Sequence, residues 1–253
     1  MIKTTVLGVS FDLWGTLIKS HPDYKANRVQ IMLDFIYKKG ATIEAIPAVD
    51  VIRSFEKTLD AYSEVSGCQI TTDHSYMTLC KMLNVNNVSY KEIAALRQDL
   101  LKLLIKCPPQ VIEGVYPVLT DLINAGVKIG LCSNTNLISG KELMQAFYKN
   151  RMGLFSMFSN RLVFSDEYGH AKPSPRIFHE TWRTMGLNGR EILHVGDNKH
   201  TDGAAETFGA KFLFVNHAEA KHKITDTFNF LNQCNQQSLQ EDLQDTQLCL
   251  SPT

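Results

Sequence analysis

Polar side chains that can do chemistry stand after four apolar stretches of this chain. The stretches are short and rich in β-branched residues, as in VLGVSF before residue 12 and ILHVG before residue 197. Such runs are typical of buried strands in a parallel sheet. Because ligands of open α/β sheets bind at the carboxyl ends of the strands, we expect one shared site there. The candidate residues are Asp12, Thr16, Ser133, Asn134, Lys172, Asp197 and Asp202.

Three of these residues are acids, and their charge predicts a metal. Asp12 with Asp197, and with Asp202 five residues later, would place two or three carboxylates within a few ångströms of one another. Such a cluster is unstable as anions unless a cation lies within it. Oxygen ligands select a hard ion, so we expect Mg²⁺ as the cofactor.

The other candidates suit a phosphate group. Ser133, the backbone amides around it, Thr16 and Lys172 would supply hydrogen-bond donors and positive charge to non-bridging phosphate oxygens. Asp12, placed between the metal and this pocket, can attack phosphorus and form an aspartyl-phosphate intermediate. The predicted substrate is therefore a small phosphorylated molecule.

Residues 19–107 carry apolar side chains at the spacing of helices. A Ser-x-x-Glu capping box at Ser89 and Glu92 precedes the last of these stripes. Cys107-Pro108-Pro109 ends it, because proline lacks an amide hydrogen and restricts the residue before it. We predict a small helical bundle inserted between residues 18 and 108.

From residue 116 onward, helical and strand patterns alternate, with a helix expected over residues 201–208. This alternation predicts an α/β fold with a doubly wound, mostly parallel sheet covered on both faces. This main domain is expected to comprise residues 1–18 and 108–232. Residues 233–253 are rich in Gln, Asn and Asp, which favours a frayed or disordered tail, with a last docked helix as the alternative.

The composition of the chain indicates which classes of partner, metal site and location to expect. The 253 residues contain 26 Lys plus Arg and 26 Asp plus Glu, so neither nucleic acid nor an anionic membrane is expected as the main partner. Six cysteines without a Cys-x-x-Cys pair indicate reduced thiols rather than a zinc site. Since no apolar run approaches the roughly 20 residues that span a bilayer, we expect a cytoplasmic protein. The sequence does not indicate an oligomeric state.

Four segments resemble, in order and spacing, the signature motifs of the haloacid dehalogenase (HAD) superfamily of hydrolases. They are FDLWGTL, LCSNT, AKPSPRIF and HVGDNKHTD. The resemblance extends to about residue 215. It implies a Rossmann-like catalytic core with an inserted α-helical cap, which here would be residues 19–107.

The resemblance also assigns roles to the candidate residues. It implies that Asp12 is the nucleophile, that Ser133 binds phosphate beside Asn134, and that Lys172 stabilises charge. It further implies that Asp197 and Asp202 hold the metal together with Asp12 and the backbone carbonyl of residue 14.

Trp14 departs from the family pattern. Phosphatases of the superfamily carry a second aspartate at this position, which protonates the leaving group and activates water. An indole cannot do this work, and its loss costs on the order of 10²–10⁴ in rate. A water, His21 or a residue of the cap would have to replace the missing acid.

Three hypotheses follow. The first is a Mg²⁺-dependent hydrolase of a small phosphorylated metabolite, which the acids at residues 197 and 202 favour. The second is a metal-free 2-haloacid dehalogenase with Trp14 in the pocket wall, although a buried anion beside the nucleophile disfavours it. The third is a binding or regulatory protein that has kept the fold and lost turnover, with Trp14 filling the site.

Overall fold

The computed structural model describes residues 5–218 and 223–237. Its strands are β1 (Gly8–Phe11), β2 (Ile18–Lys19), β3 (Gln110–Val111), β4 (Lys128–Ser133), β5 (Leu162–Phe164), β6 (Ile192–Gly196) and β7 (Lys211–Phe214). Five of them form a parallel sheet in the order β5-β4-β1-β6-β7, while β2 and β3 form a small antiparallel pair.

The helices surround this sheet and fill the insertion. They are α1 (Tyr24–Lys38), α2 (Ala45–Ser66), α3 (Thr72–Met82), α4 (Tyr90–Lys106), α5 (Val115–Asn124), α6 (Gly140–Lys149), α7 (Ser165–Tyr168), α8 (Pro175–Met185) and α9 (residues 227–237). Within the described residues, no helix is both long and apolar enough to cross a membrane.

Apolar residues on both faces of the sheet are buried, as expected for a central parallel sheet. On one face, Phe11 and Leu131 belong to a core that includes α5 and α6. On the other face, Cys132 packs in a second core with Phe178 and Trp182 of α8. The predicted doubly wound, mostly parallel α/β fold is confirmed.

The register of the sheet brings the strand ends level. Phe11, the last residue of β1, lies opposite Leu131 of β4 and Val195 of β6. The next residues along these three strands therefore emerge at one edge of the sheet. This is the edge at which the sequence predicts a shared site.

Helices α1–α4 enclose an apolar core of their own. Met32, Ile52, Tyr76 and Ile93 are buried in it, one from each helix. The predicted capping box at the start of α4 is present. Arg97 of α4 connects this bundle to α6, since its guanidinium group donates to Glu142 at 2.9 Å.

Two local features differ from the sequence predictions. The β2–β3 pair, where the chain enters and leaves the insertion, was not predicted, because two-residue strands show no periodicity. The segment predicted as a helix over 201–208 is a 3₁₀ turn at Gly203–Phe208. At its start the amide of Ala205 donates to the carbonyl of Asp202, three residues earlier, which is the 3₁₀ pattern.

The last described helix extends into the segment predicted as a tail. Helix α9 continues to residue 237, and the amide of Val6 donates to Oδ1 of Asn235 at 2.8 Å. Residues 233–237 are therefore docked on the sheet domain, which is the alternative considered for this segment. The rest of the predicted tail, 238–253, lies outside the described residues.

Candidate active site

The structure brings Asp12, Lys172 and Asp202 into direct contact at the carboxyl edge of the sheet. Nζ of Lys172 lies 2.5 Å from Oδ1 of Asp12 and 2.5 Å from Oδ1 of Asp202. The lysine is 2% exposed, Asp12 is 6% exposed and Asp202 is 1% exposed. The ammonium group therefore acts as a buried countercharge between two carboxylates that come from different strands.

Asp197 completes a group of three acids. One carboxylate oxygen from each of Asp12, Asp197 and Asp202 lies within 4.8 Å of the others, and among the described residues this is the group able to hold a metal ion. Gly15 allows the approach, because a Cβ atom there would lie 2.1 Å from Oδ2 of Asp197. Gly15 also has a φ of +78°, a conformation that glycine adopts without strain.

Asn134 fixes the backbone of Lys172. The Nδ2 group of Asn134 donates to the carbonyl of Lys172 at 3.0 Å, and the amide of Lys172 donates to Oδ1 of Asn134 at 2.7 Å. This reciprocal pair joins the loop after β4 to the residue before α8. Lys172 does not directly follow a strand, and these two hydrogen bonds hold it at the site.

Asp202 is held from three sides. Its carboxylate packs against Gly196, where a Cβ atom would lie 2.2 Å from the carboxyl carbon. The amide of Asn198 donates to its Oδ2 at 3.0 Å. The imidazole of His194 lies 3.3 Å from its Oδ1 and is itself hydrogen-bonded to Ser10 at 2.8 Å. The carboxylate therefore has a fixed position beneath Lys172.

Burial and charge act in opposite directions on these groups. Burial raises the pKa of the Asp12 carboxyl, and the nearby lysine only partly offsets this. Burial would lower the pKa of Lys172, but Asp12 and Asp202 outweigh it and raise that pKa. Burial also opposes ionisation of Asp202, yet Lys172 and His194 hold its pKa below the ordinary value. Burial and the Asp202 charge raise the pKa of Asp197.

A cavity of about 400 Å³ opens above this group. Its floor includes Asp12, Lys172, Asp197 and Asp202, with Asn134 and Trp14 beside them, and its opposite wall comes from α1 and α2. The residues that α1 and α2 contribute to the wall are Tyr24, Lys25, Arg28, Glu56, Asp60, Ser63 and Glu64. A cavity of this volume suits a small metabolite.

Three predicted residues do not line this cavity. Ser133 is fully buried, and its hydroxyl lies 3.3 Å from the carbonyl of Asn134. Thr16 is also fully buried, and its Oγ1 has no hydrogen-bond partner among the described residues. His21 is partly exposed and accepts a hydrogen bond from the amide of Asp23. The side chains of these three residues therefore lie outside the cavity wall.

The donor set fits a hard divalent cation. Three carboxylates supply oxygen ligands only, and among the described residues Lys172 is the one ammonium group in contact with them, at Asp12 and Asp202. Burial raises the pKa of Asp12 and of Asp197, and the charge of neighbouring Asp202 raises both further. A dication bound by carboxylate oxygens would supply the missing positive charge.

Sequence reasoning missed several residues around this site. Gly15 is remote in sequence from Asp197, so their close approach has no local signal, and the contact of Gly196 with Asp202 depends on how the loop after β6 folds. His194 sits inside an apolar run, which gives no indication of its contact with Asp202. The acids of α2 belong to a helix whose apolar stripe could be seen, but whose polar face gave no indication of what it would meet.

The fold and the site define an α/β protein with an acid cluster and a buried lysine at the carboxyl ends of parallel strands. The chain belongs to the haloacid dehalogenase-like hydrolase family, whose sequence profile matches residues 6–209. The expected family is therefore confirmed.

Two curated relatives are phosphatases by name. The glyceraldehyde 3-phosphate phosphatase of Methanopyrus kandleri is 34% identical over 88 residues, which is 35% of this chain and 35% of that protein. The match thus spans about a third of that relative. The phosphoglycolate phosphatase of Neisseria gonorrhoeae is 26% identical over 204 residues, covering 81% of this chain and 77% of that protein.

A solved structure shares the fold. The HAD-hydrolase YfnB from Bacillus subtilis, solved with bound magnesium, aligns with a TM-score of 0.62 at 16% sequence identity. The alignment covers 90% of this chain and all of that one. At this level of identity, the likeness concerns the fold.

Proposed function

We propose that this protein is a Mg²⁺-dependent phosphatase that hydrolyses a small phosphorylated metabolite through an aspartyl-phosphate on Asp12. The observation that carries the proposal is the contact of buried Lys172 with Asp12 beside the three-acid group. A nucleophilic carboxylate, a countercharge and hard oxygen ligands occur together at one end of a cavity of metabolite size. The names of the two curated relatives agree with this proposal.

Asp12, Asp197 and Asp202 would hold the metal, together with the backbone carbonyl of Trp14. When bound, Mg²⁺ would neutralise the acids and the phosphate, so that an anionic nucleophile could approach an anionic substrate. Fold and donor chemistry both support this assignment, and the magnesium in the B. subtilis protein agrees with it.

Each residue of the site has a separate role in this proposed reaction. An oxygen of Asp12 attacks phosphorus, and Lys172 stabilises the charge that develops on the non-bridging oxygens. Asn134 keeps Lys172 in place and lines the same cavity. Ser133 would bind phosphate only after its hydroxyl turns from the carbonyl of Asn134, and Thr16 remains a predicted contact in the family pattern.

We further propose that residues 19–107 form a cap over a catalytic core of residues 1–18 and 108–232. The wall that α1 and α2 contribute to the cavity supports this division, because it places the insertion opposite the acids. Such a cap would exclude water and select the alcohol part of the substrate.

The dehalogenase hypothesis is weaker on this geometry. A metal-free reaction at carbon would leave Asp197 and Asp202 beside the nucleophile with only Lys172 to balance three acids. Uncompensated anions in such a site are costly. Trp14 is the observation that favours this hypothesis and also the binding-protein hypothesis, since this residue lines the cavity.

The test is a panel of phosphate esters and chloroacetate assayed with Mg²⁺ and again with EDTA. We expect phosphate release that requires the metal and is lost in Asp12→Asn. Halide release that survives the chelator would support the dehalogenase instead. Binding of Mg²⁺ and phosphate without turnover, unchanged in Trp14→Asp, would identify a binding protein.

A further inference from the structure

The proposed reaction needs a proton donor that residue 14 cannot supply. An alkoxide leaving group must be protonated, and the water that later attacks phosphorus must lose a proton. Trp14 stands where the family pattern has an acid, and its indole does neither. Another titratable group in the cavity wall can supply this proton. Away from the acids and lysine of the floor, the described candidates are Lys25, Arg28, Glu56, Asp60 and Glu64, because burial raises the pKa of the Tyr24 phenol to about 12 and its proton is held too tightly.

Three of these five groups are poor proton donors, because they are in an ion pair or hold their protons too tightly. Arg28 is buried and forms an ion pair with Glu56, so that carboxylate already has a partner. Guanidinium and ammonium groups hold their protons too tightly to act as acids near neutral pH. Two carboxylates of α2 remain, at positions 60 and 64.

The surroundings distinguish these two carboxylates. Glu64 lies 3.4 Å from Nδ2 of Asn198, beside the metal acids of the core. Asp60 accepts a hydrogen bond from Nδ2 of Asn136, two residues beyond Asn134 in the loop after β4. The carbonyl of Asn136 is in turn held by Oγ1 of Thr72 at 3.1 Å. Asp60 is therefore fixed against the loop that holds Lys172.

We propose that Asp60, supplied by helix α2, is the general acid and base that replaces the aspartate missing at residue 14. The assignment rests on the proposed phosphatase function and extends it. It makes the insertion part of the catalytic machinery and not only the wall that selects the substrate.

The charges around Asp60 suit this role. Its neighbours are Glu64 on the same helix, Lys25 on α1 and Asn136 on the loop after β4. Burial and then the Glu64 charge raise the pKa of Asp60, while Asn136 and Lys25 only partly oppose them. A carboxyl group with a raised pKa keeps a larger protonated fraction near neutral pH, as a general acid requires.

The chemistry balances in two steps. An oxygen of Asp12 bonds to phosphorus as the bond to the leaving oxygen breaks, and the proton of Asp60 passes to that oxygen to give an alcohol. Water then bonds to phosphorus as the bond to Asp12 breaks, and the proton of the water returns to Asp60. The products are an alcohol and inorganic phosphate, and both aspartates regain their starting states.

The test compares two leaving groups in rapid-quench, first-turnover assays with Mg²⁺. p-Nitrophenolate leaves without protonation, whereas the alkyl phosphate that the wild type hydrolyses fastest needs an acid. In Asp60→Asn we expect first-turnover cleavage of the alkyl ester to slow by about 10²–10⁴-fold, with the p-nitrophenol burst within a few fold of the wild type. Asp50→Asn is the matched control, since Asp50 lies exposed on the same helix.

Two more readouts separate proton transfer from a structural effect. The first-turnover rate with the alkyl ester should fall as the pH rises through the pKa of Asp60, and this limb should be absent in Asp60→Asn. Glu64→Gln should move the limb to lower pH, because the charge that raises the Asp60 pKa is removed. Adding Trp14→Asp to Asp60→Asn should restore part of the alkyl-ester rate.

Equal losses with both esters, or no loss with either, would overturn the assignment of Asp60 while leaving the phosphatase proposal intact. A wild-type protein that cleaves no phosphate ester under any condition would contradict both proposals.

Discussion

Replacing Lys172 with methionine should strongly destabilise the metal-free protein. The lysine is 2% exposed, and its Nζ lies 2.5 Å from both Asp12 and Asp202. Methionine has a similar length, so the main change is the loss of countercharge from two buried carboxylates. Breaking a buried ion pair by removing one partner costs about 3–5 kcal/mol, and we expect a loss of unfolding free energy in this range.

Urea unfolding in EDTA measures this loss. With a slope of about 3 kcal/mol per molar urea, the midpoint should fall by roughly 1–2 M. Adding Mg²⁺ should reduce the difference between the variant and the wild type, because the bound ion replaces part of the missing positive charge. Adding Asp202→Asn to Lys172→Met should recover part of the loss, because one of the stranded charges is removed.

Lys102→Met is the matched control. Lys102 forms an ion pair with Asp99 at 2.8 Å, but the two side chains are 76% and 59% exposed. Exposed pairs contribute little to stability, so the midpoint should barely change. Similar midpoints for the Lys172 and Lys102 variants would refute the view that Lys172 balances buried charge.

Three further predictions concern the groups around this lysine. Asn134→Ala should cost about 1–3 kcal/mol in urea unfolding, because the buried amide of Lys172 loses its acceptor, and it should also slow turnover. Gly15→Ala should weaken Mg²⁺ binding by about 10–100-fold in calorimetry, since the new Cβ atom would displace Asp197. Gly40→Ala is the control and should bind Mg²⁺ normally, because Gly40 has the same left-handed backbone but no atom within 4 Å of the position of a Cβ atom. Mg²⁺ at about 100 times its Kd should stabilise the wild type by about 2.7 kcal/mol in thermal unfolding, and Asp197→Asn should lose most of this gain at the same Mg²⁺ concentration.

Much of the fold follows from local patterns. The runs that become β1, β4 and β6 are predominantly apolar, so their identity as buried strands needed no tertiary information. The capping box at Ser89 and Glu92 fixed the start of α4 in the same way. Parallel pairing then determines that Asp12 and Asp197 meet, because the register sets the ends of their strands level.

Other features depend on contacts between distant segments. The two-residue strands β2 and β3 exist only because they pair with each other. Asn134 was expected to bind substrate, and nothing near it in sequence indicates its bonds to Lys172, which is 38 residues away. A role for Asp60 could not be predicted from the sequence. An acid on the polar face of a helix indicates a function only once the cavity that it lines is known.

The role of Asp12 as nucleophile is tested by locating the phosphoryl group during turnover. The protein would be mixed with Mg²⁺ and a phosphate ester, quenched in acid within the first turnover, and digested for mass spectrometry. A phosphorylated peptide that contains Asp12 should form in the wild type and be absent in Asp12→Asn. Turnover with no phosphorylated peptide, or with the phosphoryl group on another residue, would show that Asp12 is not the nucleophile.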